Sequence, residues 1–507
     1  MNKKILISII AVLILAAGIG ISFIFQKPAF PEPKMSHYNN EIVNQSLKKS
    51  QEKISMDSPF GIGAKVIPDP SIPSEMLVGF DDYKALKEVG ARWVRHSGTE
   101  GLVWDGIETK SGVYDWSKTD YIFEQTYKQG IKMLITVGCY NRLDRSEFGF
   151  MPQNMQWYLK FLKTAVERYD GDGINDAPGS PIVEVWQIEN EVDGWVFWRD
   201  IPQNYAKLLK ESYKAIKQVN PNAKVAIAGV TTPPGFYEFY VRVFDELAND
   251  NTRYFDILDF HWYPLDVGQY NYLTLPPSQT RFYFKEFVKN IRQILSKYGY
   301  DNIPIFITET AQYSDTPGHN PVVEPVSPKF HSETKQAVDL FKTYVYSLAN
   351  GVDKVFLWSG LTETYKFDPT TPNGIFDNVG LINNPQNDGK SHKKLSYYTY
   401  KKMVEVLDGS DWNNIQTIQE LDRIYIYKFI KNNKSIWVAW NDSSQEKQIT
   451  ISGISSSQVK IIQAVPKYES GKEVTDYNTA FETEVKTVSS EKITITLGDI
   501  PMFVEKQ

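Results

Sequence analysis

Two glutamates close apolar, strand-like runs. One run is Val183-Glu184-Val185-Trp186-Gln187-Ile188-Glu189-Asn190-Glu191, and the other is Ile303-Pro304-Ile305-Phe306-Ile307-Thr308-Glu309. Glu191 and Glu309 are 118 residues apart in the chain. Two carboxylates brought face to face suit the cleavage of a glycosidic bond. One is protonated and assists the departing oxygen, and the other is ionised and attacks the sugar carbon or activates water. A separation of about 5–5.5 Å gives retention, and one of roughly 6.5–9.5 Å gives inversion. Like charge and burial raise one of the two pKa values and so supply the acid. Glu184 and Glu189 are rivals within the first run. Glu184 lies mid-strand, and Glu189 shares the parity of Glu191 but sits one step deeper.

Aromatic residues gather near the same places. The chain holds 12 Trp, 30 Tyr and 27 Phe, more flat apolar surface than a core of this size needs. Trp195, Phe197 and Trp198 follow Glu191, Tyr140 ends one apolar run, and Trp262 ends another. Sugar rings stack on such side chains through their apolar faces, while a few polar partners fix orientation. No cofactor or metal is expected. The six histidines show neither His-x-x-x-His nor His-Glu-x-x-His spacing, and the single cysteine, Cys139, cannot form an internal disulfide or a cysteine metal cluster.

These residues need a frame. Between Ser58 and Leu407 eight short apolar runs alternate with amphipathic segments, and the runs are continuous rather than alternating, as strands buried on both faces are. Eight β-then-α units predict a (β/α)8 TIM barrel, an α/β fold whose chemistry sits at the carboxyl ends of its strands. An open doubly wound sheet would announce itself with a glycine-rich first turn, and none is present. Strands 4 and 7 lie three apart around the ring, so Glu191 and Glu309 can face each other across the bowl. Long loops at 264–277, 310–328 and 361–389 would shape the mouth. After Gly409 the pattern turns to alternating short strands, which predicts a small all-β, sandwich-like domain. The expected division is a barrel over 56–408 and an accessory β domain over 409–507.

On these residues the sequence resembles the large clan of retaining β-glycosidases with (β/α)8 barrels, the cellulase, β-xylosidase and β-galactosidase superfamily. Asn190-Glu191 matches the pair that ends strand 4 in that clan, and Glu309 matches the glutamate that ends strand 7. The resemblance implies that Glu191 is the acid/base and Glu309 the nucleophile. Arg95, with His96 a second candidate, would pair with the nucleophile. His261-Trp262-Tyr263 is similar to the clan's His-x-Tyr: Tyr263 would bond the nucleophile, and His261 would line the subsite. Asn190 would hold the sugar 2-hydroxyl, and Trp358 would lie under the sugar. Trp104, Ile107-Glu108 and Gly112-Val113-Tyr114-Asp115-Trp116 resemble a W…IE…G.Y.W segment of several branches. Val192 stands where the cellulase-like branch has proline, so the branch and the sugar stay open.

The implied function is hydrolysis of O-glycosidic bonds in a β-linked oligo- or polysaccharide. A transglycosylase using the same residues is one alternative, and a non-catalytic carbohydrate-binding barrel is another. The net charge of -6 argues against a nucleic-acid partner. Lys3 and Lys4 precede an uncharged run of 21 residues, Ile5–Phe25, long enough at 1.5 Å per residue to span a bilayer core of about 30 Å. Residues 1–26 are therefore expected to be a transmembrane anchor, with a cleaved signal peptide as the alternative, and 27–55 a linker. Both place the bulk of the chain outside the cytoplasm. Composition does not specify an oligomeric state.

Overall fold

The computed structural model describes residues 57–507, except 72–78, 251, 267–268, 271–282, 317–328, 359, 364–373 and 386–390. The expected anchor (1–26) and linker (27–55), together with much of the three long loops at the mouth, lie outside the described residues. No helix among the described residues is long and apolar enough to cross a membrane.

Eight parallel strands form the frame: β1 (Phe60–Gly63), β2 (Trp93–His96), β3 (Lys132–Gly138), β4 (Val185–Ile188), β5 (Lys224–Ala226), β6 (Leu258–His261), β7 (Ile305–Thr310) and β8 (Lys354–Trp358). Their order in the sheet is β5-β4-β3-β2-β1-β8-β7-β6. Parallel bridges from Ala226 to Ile257 and from Val230 to Phe260 join β5 to β6, so the ring is nearly closed. Around it run α1 (Tyr83–Val89), α2 (Ser117–Lys128), α3 (Met155–Arg168), α4 (Pro202–Val219), α5 (Val241–Leu247), α6 (Phe284–Lys297), α7 (Glu333–Ala349) and α8 (Leu395–Leu407). Most bury one stripe, whereas α7 is buried on nearly every side from Gln336 to Leu348. In α4 that stripe is Tyr205, Leu208, Leu209, Ser212 and Ile216, the 3.6-residue period of an amphipathic helix. A π-helical turn at Phe236–Tyr240 leads into α5, where a single continuous helix is predicted over 235–247.

The W…IE…G.Y.W segment is architecture. The buried Glu108 carboxylate accepts from the indole N–H of Trp104 (2.6 Å), the indole N–H of Trp157 (2.8 Å) and the backbone N–H of Gly112 (2.6 Å). It ties the loop after β2 to α3. Glu108→Ala would orphan the buried indole N–H of Trp104 and the half-buried indole N–H of Trp157, and cost about 2 kcal/mol or more. Chemical denaturation should show that loss while kcat of the folded enzyme stays unchanged, and an unaltered unfolding midpoint would contradict this reading.

Beyond residue 409 come antiparallel sheets. The larger contains β9 (Gln416–Leu421), β10 (Ile424–Lys431), β11 (Lys434–Asn441), β13 (Gln458–Gln463), β14 (Thr483–Thr487) and β16 (Met502–Lys506), in the order β9-β10-β11-β16-β13-β14. The smaller pairs β12 (Lys447–Ser452) with β15 (Lys492–Leu497). Strand alternation sends Trp437 and Trp440 to opposite faces. Trp437 joins Ile449, Ile451, Ile493 and Ile495 between the two sheets, and Trp440 joins the core shared with the barrel helices. Phe503 meets Phe341 of α7 edge-on at 5.3 Å. Lys342 of α7, itself buried, is bonded to Asp442 at 2.7 Å and also to Asp499.

Candidate active site

The barrel interior is built in layers. At its amino end Trp93, Leu134, Val185, Ala226, Ile257, Phe306 and Phe356 form an apolar plug. Above it lies a polar layer. The Gln187 amide oxygen accepts from Arg95 Nε and from Thr136 Oγ1, each at 2.9 Å, and its Nε2 donates to Asp259. Asp259 also accepts from the Thr308 N–H (3.0 Å) and hydroxyl (2.6 Å). Burial lifts the Asp259 carboxyl to about 6, although the charges of His261 and Arg95 pull it down. This layer holds the groups at the mouth in place.

Glu309 and Glu191 both reach the mouth by breaking strand alternation. In β7, Phe306 and Thr308 point inward, so regular pleating would send Glu309 outward. The pairing shifts register between Ile307 and Glu309 against β6, and between Ile307 and Thr310 against β8. That irregularity turns Glu309 inward beside Thr308, the re-aiming effect of a bulge. After β4 the backbone is left-handed at Glu189 (φ 66°) and again at Glu191 (φ 43°). Such conformations are costly for side chains with a Cβ and gather at functional sites. The first turns Glu189 away, to accept from the Cys139 N–H. The second delivers Glu191 over the barrel.

One oxygen of Glu191, one oxygen of Glu309 and a ring nitrogen of His261 all lie within 4.8 Å of one another. Glu309 is buried. Its Oε1 accepts from Arg95 Nη1 at 2.6 Å and its Oε2 from the Tyr263 hydroxyl at 2.9 Å. Arg95 Nη2 donates to Asn190 Oδ1 at 2.6 Å. His261 Nδ1 is 2.6 Å from Glu191 Oε1 and 3.5 Å from Glu309 Oε2. Gly229 makes this possible, because a Cβ there would lie 2.2 Å from His261 Nε2. Burial alone would raise the Glu309 pKa, but the positive charges of His261 and Arg95 and the bonds from Arg95 and Tyr263 outweigh it and hold the carboxyl below its ordinary value. For His261 burial acts downward, and the facing charges of Glu309 and Glu191 overcome it and lift the imidazole to about 9.

The sign of the Glu309 shift makes a prediction. In the nucleophile role that the resemblance implies, Glu309 would act ionised, so activity would fall as pH drops through its pKa. Arg95→Met removes one of the charges that depress this pKa, so the acid limb of kcat/KM should move to higher pH. An unmoved acid limb would contradict the pairing.

Arg95, Asn190, Glu191, His261, Tyr263 and Glu309 thus come together as expected. Trp358 stands at the end of β8, half-buried, with its ring 5.1 Å from Phe376 in an edge contact. Tyr263 meets the same Phe376 at 5.7 Å. Tyr140 lies in the loop after β3, its ring 5.5 Å from Phe148. Trp195 is exposed on the loop after Glu191.

Three expectations are corrected. His96 follows the inward Arg95, so alternation sends it outward. It is buried against α2, with Nε2 3.0 Å from Thr126 Oγ1 and its ring stacked on Phe123, and burial presses its pKa to about 3. Trp262 follows the inward His261 and likewise faces the helices, where it packs on Phe284 and Phe287. Trp198 folds beneath its loop against Tyr205, 5.7 Å between rings. None of the three lines the mouth.

The rival glutamates are also placed. Glu184 accepts from the Met133 N–H at 2.9 Å near the amino end of the barrel, and burial raises it to about 7. Glu189 is buried behind the site, and burial raises its pKa as well. Gln187, Thr308, Asp259 and Phe376 were not singled out from sequence. The inward parity that Asp259 shares with His261, Gln187 with Val185 and Thr308 with Phe306 is the signal that would have found the first three.

Among the described residues, two groups bring carboxylates close enough to share a cation. Glu191, His261 and Glu309 form one, but there the imidazole bonds directly to a carboxylate. Asp170, Asp172 and Asp176 form the other, in the connection from α3 to β4, at the end of the barrel remote from the site.

Comparison with known proteins agrees with this geometry. Residues 79–416 match the model of glycosyl hydrolase family 53. Among solved structures, a family 39 glycoside hydrolase from the gut symbiont Bacteroides cellulosilyticus WH2 is similar at 18% identity and a TM-score of 0.63, covering 90% of this chain and 82% of that one. A monomeric β-xylosidase from Caulobacter crescentus CB15 is similar at 15% identity and a TM-score of 0.58, covering 89% of this chain and 97% of that one. An α-L-arabinofuranosidase from Thermotoga maritima is similar at 12% identity and a TM-score of 0.56, covering 89% and 96%. At such identities the likeness shows the fold, and the family match shows the kinship. The chain belongs to glycosyl hydrolase family 53, within the clan of retaining (β/α)8-barrel glycoside hydrolases.

Proposed function

We propose that the chain cleaves O-glycosidic bonds in a β-linked oligo- or polysaccharide by double displacement, with Glu309 as nucleophile and Glu191 as acid/base. The observation that carries this reading is that one oxygen of Glu191 lies within 4.8 Å of one oxygen of Glu309, which fits the roughly 5–5.5 Å spacing of a retaining pair better than the roughly 6.5–9.5 Å that leaves room for water in an inverting site. Glu309 attacks the sugar carbon while Glu191 gives its proton to the departing oxygen, which leaves a glycosyl ester on Glu309. Glu191, now a base, takes a proton from water. The water oxygen attacks the same carbon, and the ester bond to Glu309 breaks. Arg95 and Tyr263 hold Glu309 in its charged form and aim it. The 2.6 Å contact from His261 Nδ1 to Glu191 Oε1 holds the Glu191 side chain in position over the site. Asn190 has its Oδ1 committed to Arg95, which turns its amide N–H groups to the sugar 2-hydroxyl.

The test is the anomer formed first when the enzyme hydrolyses β-glycosides, followed by proton NMR. The β anomer is expected, and an α anomer would overturn double displacement.

The same reading places the enzyme outside the cytoplasm, anchored by residues 1–26 and spaced by 27–55, with 409–507 a sandwich-like accessory domain. The lysines before an apolar run of 21 residues support the anchor. Protease treatment of intact cells should release the barrel, and protection from protease would contradict that placement.

A further inference from the structure

We infer that Asp259 and Thr308 are positioning residues for the acid/base: a hydrogen-bond chain of one fixed direction runs from Arg95 through Gln187, Asp259 and Thr308 to His261, and it leaves Nδ1 as the ring nitrogen that shares a proton with Glu191. This deepens the reading of Glu191 as the acid and rests on it. The direction starts at Arg95, whose guanidinium can only donate. Its Nε gives a hydrogen to the Gln187 amide oxygen at 2.9 Å, which turns the Gln187 amide nitrogen to Asp259. Asp259 also takes the Thr308 N–H at 3.0 Å and the Thr308 hydroxyl hydrogen at 2.6 Å. A carboxylate that meets only donors serves as acceptor, in its ionised form. The Thr308 oxygen has then given away its one hydrogen. Toward His261 Nε2, 3.2 Å away, it can only accept.

Nε2 therefore keeps its hydrogen. Asp259 itself lies 4.0 Å from Nε2, beyond hydrogen-bond reach, so the Thr308 hydroxyl is the link. Asp259, Thr308 and His261 are all buried, which shuts bulk water out of the chain. The bond made by one ring nitrogen of a histidine decides which nitrogen carries the hydrogen of the neutral ring. Here Nδ1 is left to face Glu191 Oε1 at 2.6 Å, and one proton moves between them. With the proton on Oε1, Nδ1 is bare and accepts. With it on Nδ1, Glu191 is ionised and accepts. The pair gives this proton to the departing oxygen in the first step and regains one from water in the second. The charged groups facing the ring are Glu191 from the loop after β4, Glu309 from β7 at 3.5 Å and Asp259 from β6 itself, with Arg95 from β2 bonded to Glu309. On the β5 side Gly229 brings no side chain. The negative charge of Asp259 thus helps the pair to retain its proton.

The test is NMR of the histidine ring nitrogens in the isotopically labelled full chain, with the His261 signals identified by their loss in His261→Gln. In the wild type Nε2 should carry hydrogen throughout a pH titration, and Nδ1 alone should titrate. Asp259→Asn keeps the shape but presents an amide N–H to Thr308, which turns the hydroxyl hydrogen toward Nε2. The neutral ring should then carry its hydrogen on Nδ1, and the pair should lose its proton at lower pH. Kinetics use whichever β-linked tetrasaccharide of galactose, glucose or xylose the wild type cleaves fastest. The basic limb of kcat/KM should move down by about one pH unit in Asp259→Asn, with a loss of about ten-fold near pH ~8. Thr308→Val breaks the link and should move the limb the same way, and Thr308→Ser should restore it. A bare Nε2 in the wild type, or wild-type ring signals in Asp259→Asn, would overturn the chain. So would a loss of activity in both variants with an unmoved basic limb, which is what a merely structural role would give. Glu191→Gln run alongside separates the two readings: if it keeps wild-type kcat/KM, the acid assignment itself fails and the chain has no acid to position, whatever the ring signals are.

Discussion

Glu309→Ala is expected to reduce turnover by at least about 10⁴-fold, because loss of the covalent nucleophile removes the first chemical step outright. Among the described residues, the neighbouring carboxylates offer no substitute for Glu309 in the proposed role. Glu191 faces the leaving side, Glu189 is turned behind β4 against Cys139, and Asp259 is bound into the polar layer by Gln187 and Thr308. Removing the carboxylate also leaves the buried Arg95 and His261 without their shared anion. Glu309→Gln keeps a hydrogen-bonding group there and should lose the same activity with less loss of stability. Added azide is small enough to occupy the space vacated in the alanine variant. It would attack the substrate directly from the nucleophile's side, so its product should be the inverted α-glycosyl azide. Recovery of a β product would show that another residue is the nucleophile.

Glu191→Ala should show a different pattern. Its loss depends on the leaving group: roughly 10²–10⁴-fold for a sugar, which needs its oxygen protonated, and much less for a fluoride or dinitrophenolate, which does not. With such activated substrates the first step still runs, and the ester on Glu309 accumulates for want of a base to deprotonate water. Azide needs no deprotonation. It should restore turnover and give the β-glycosyl azide, because it attacks the intermediate rather than the substrate. A loss independent of the leaving group would move the acid role away from Glu191.

Much of the frame was readable from sequence because the physical signals there are local. Continuous apolar runs mark strands buried on both faces, and the stripe on α4 marks a helix against a sheet. The two glutamates stood out because they end such runs. Arg95, Tyr263 and Asn190 followed from the resemblance, and their contacts with Glu309 and with one another fit it. Two of the three misplaced residues share one cause. His96 and Trp262 adjoin Arg95 and His261, which do point inward, and neighbours on a strand point to opposite sides. Counting parity from Arg95 and from His261 would have sent both outward. Trp198 differs, because a turn and not a strand decides its direction, and turn geometry depends on bonds such as Asp193 to Thr231 that no spacing reveals. The same limit applies to the catalytic pair. The left-handed Glu191 and the bulge before Glu309 are departures from regular structure, and they follow from the surrounding packing rather than from either run alone.

The account's central claim is that Glu309 becomes covalently bonded to the sugar. Incubation with a 2-deoxy-2-fluoro β-glycoside bearing a good leaving group slows the second step more than the first, so the intermediate persists long enough to be isolated. Peptide mapping by mass spectrometry then reads where the sugar sits. The account predicts one fluorosugar on the peptide containing Glu309 and none in Glu309→Gln. A label on the peptide containing Glu191, or rapid turnover with no label on the protein, would contradict it.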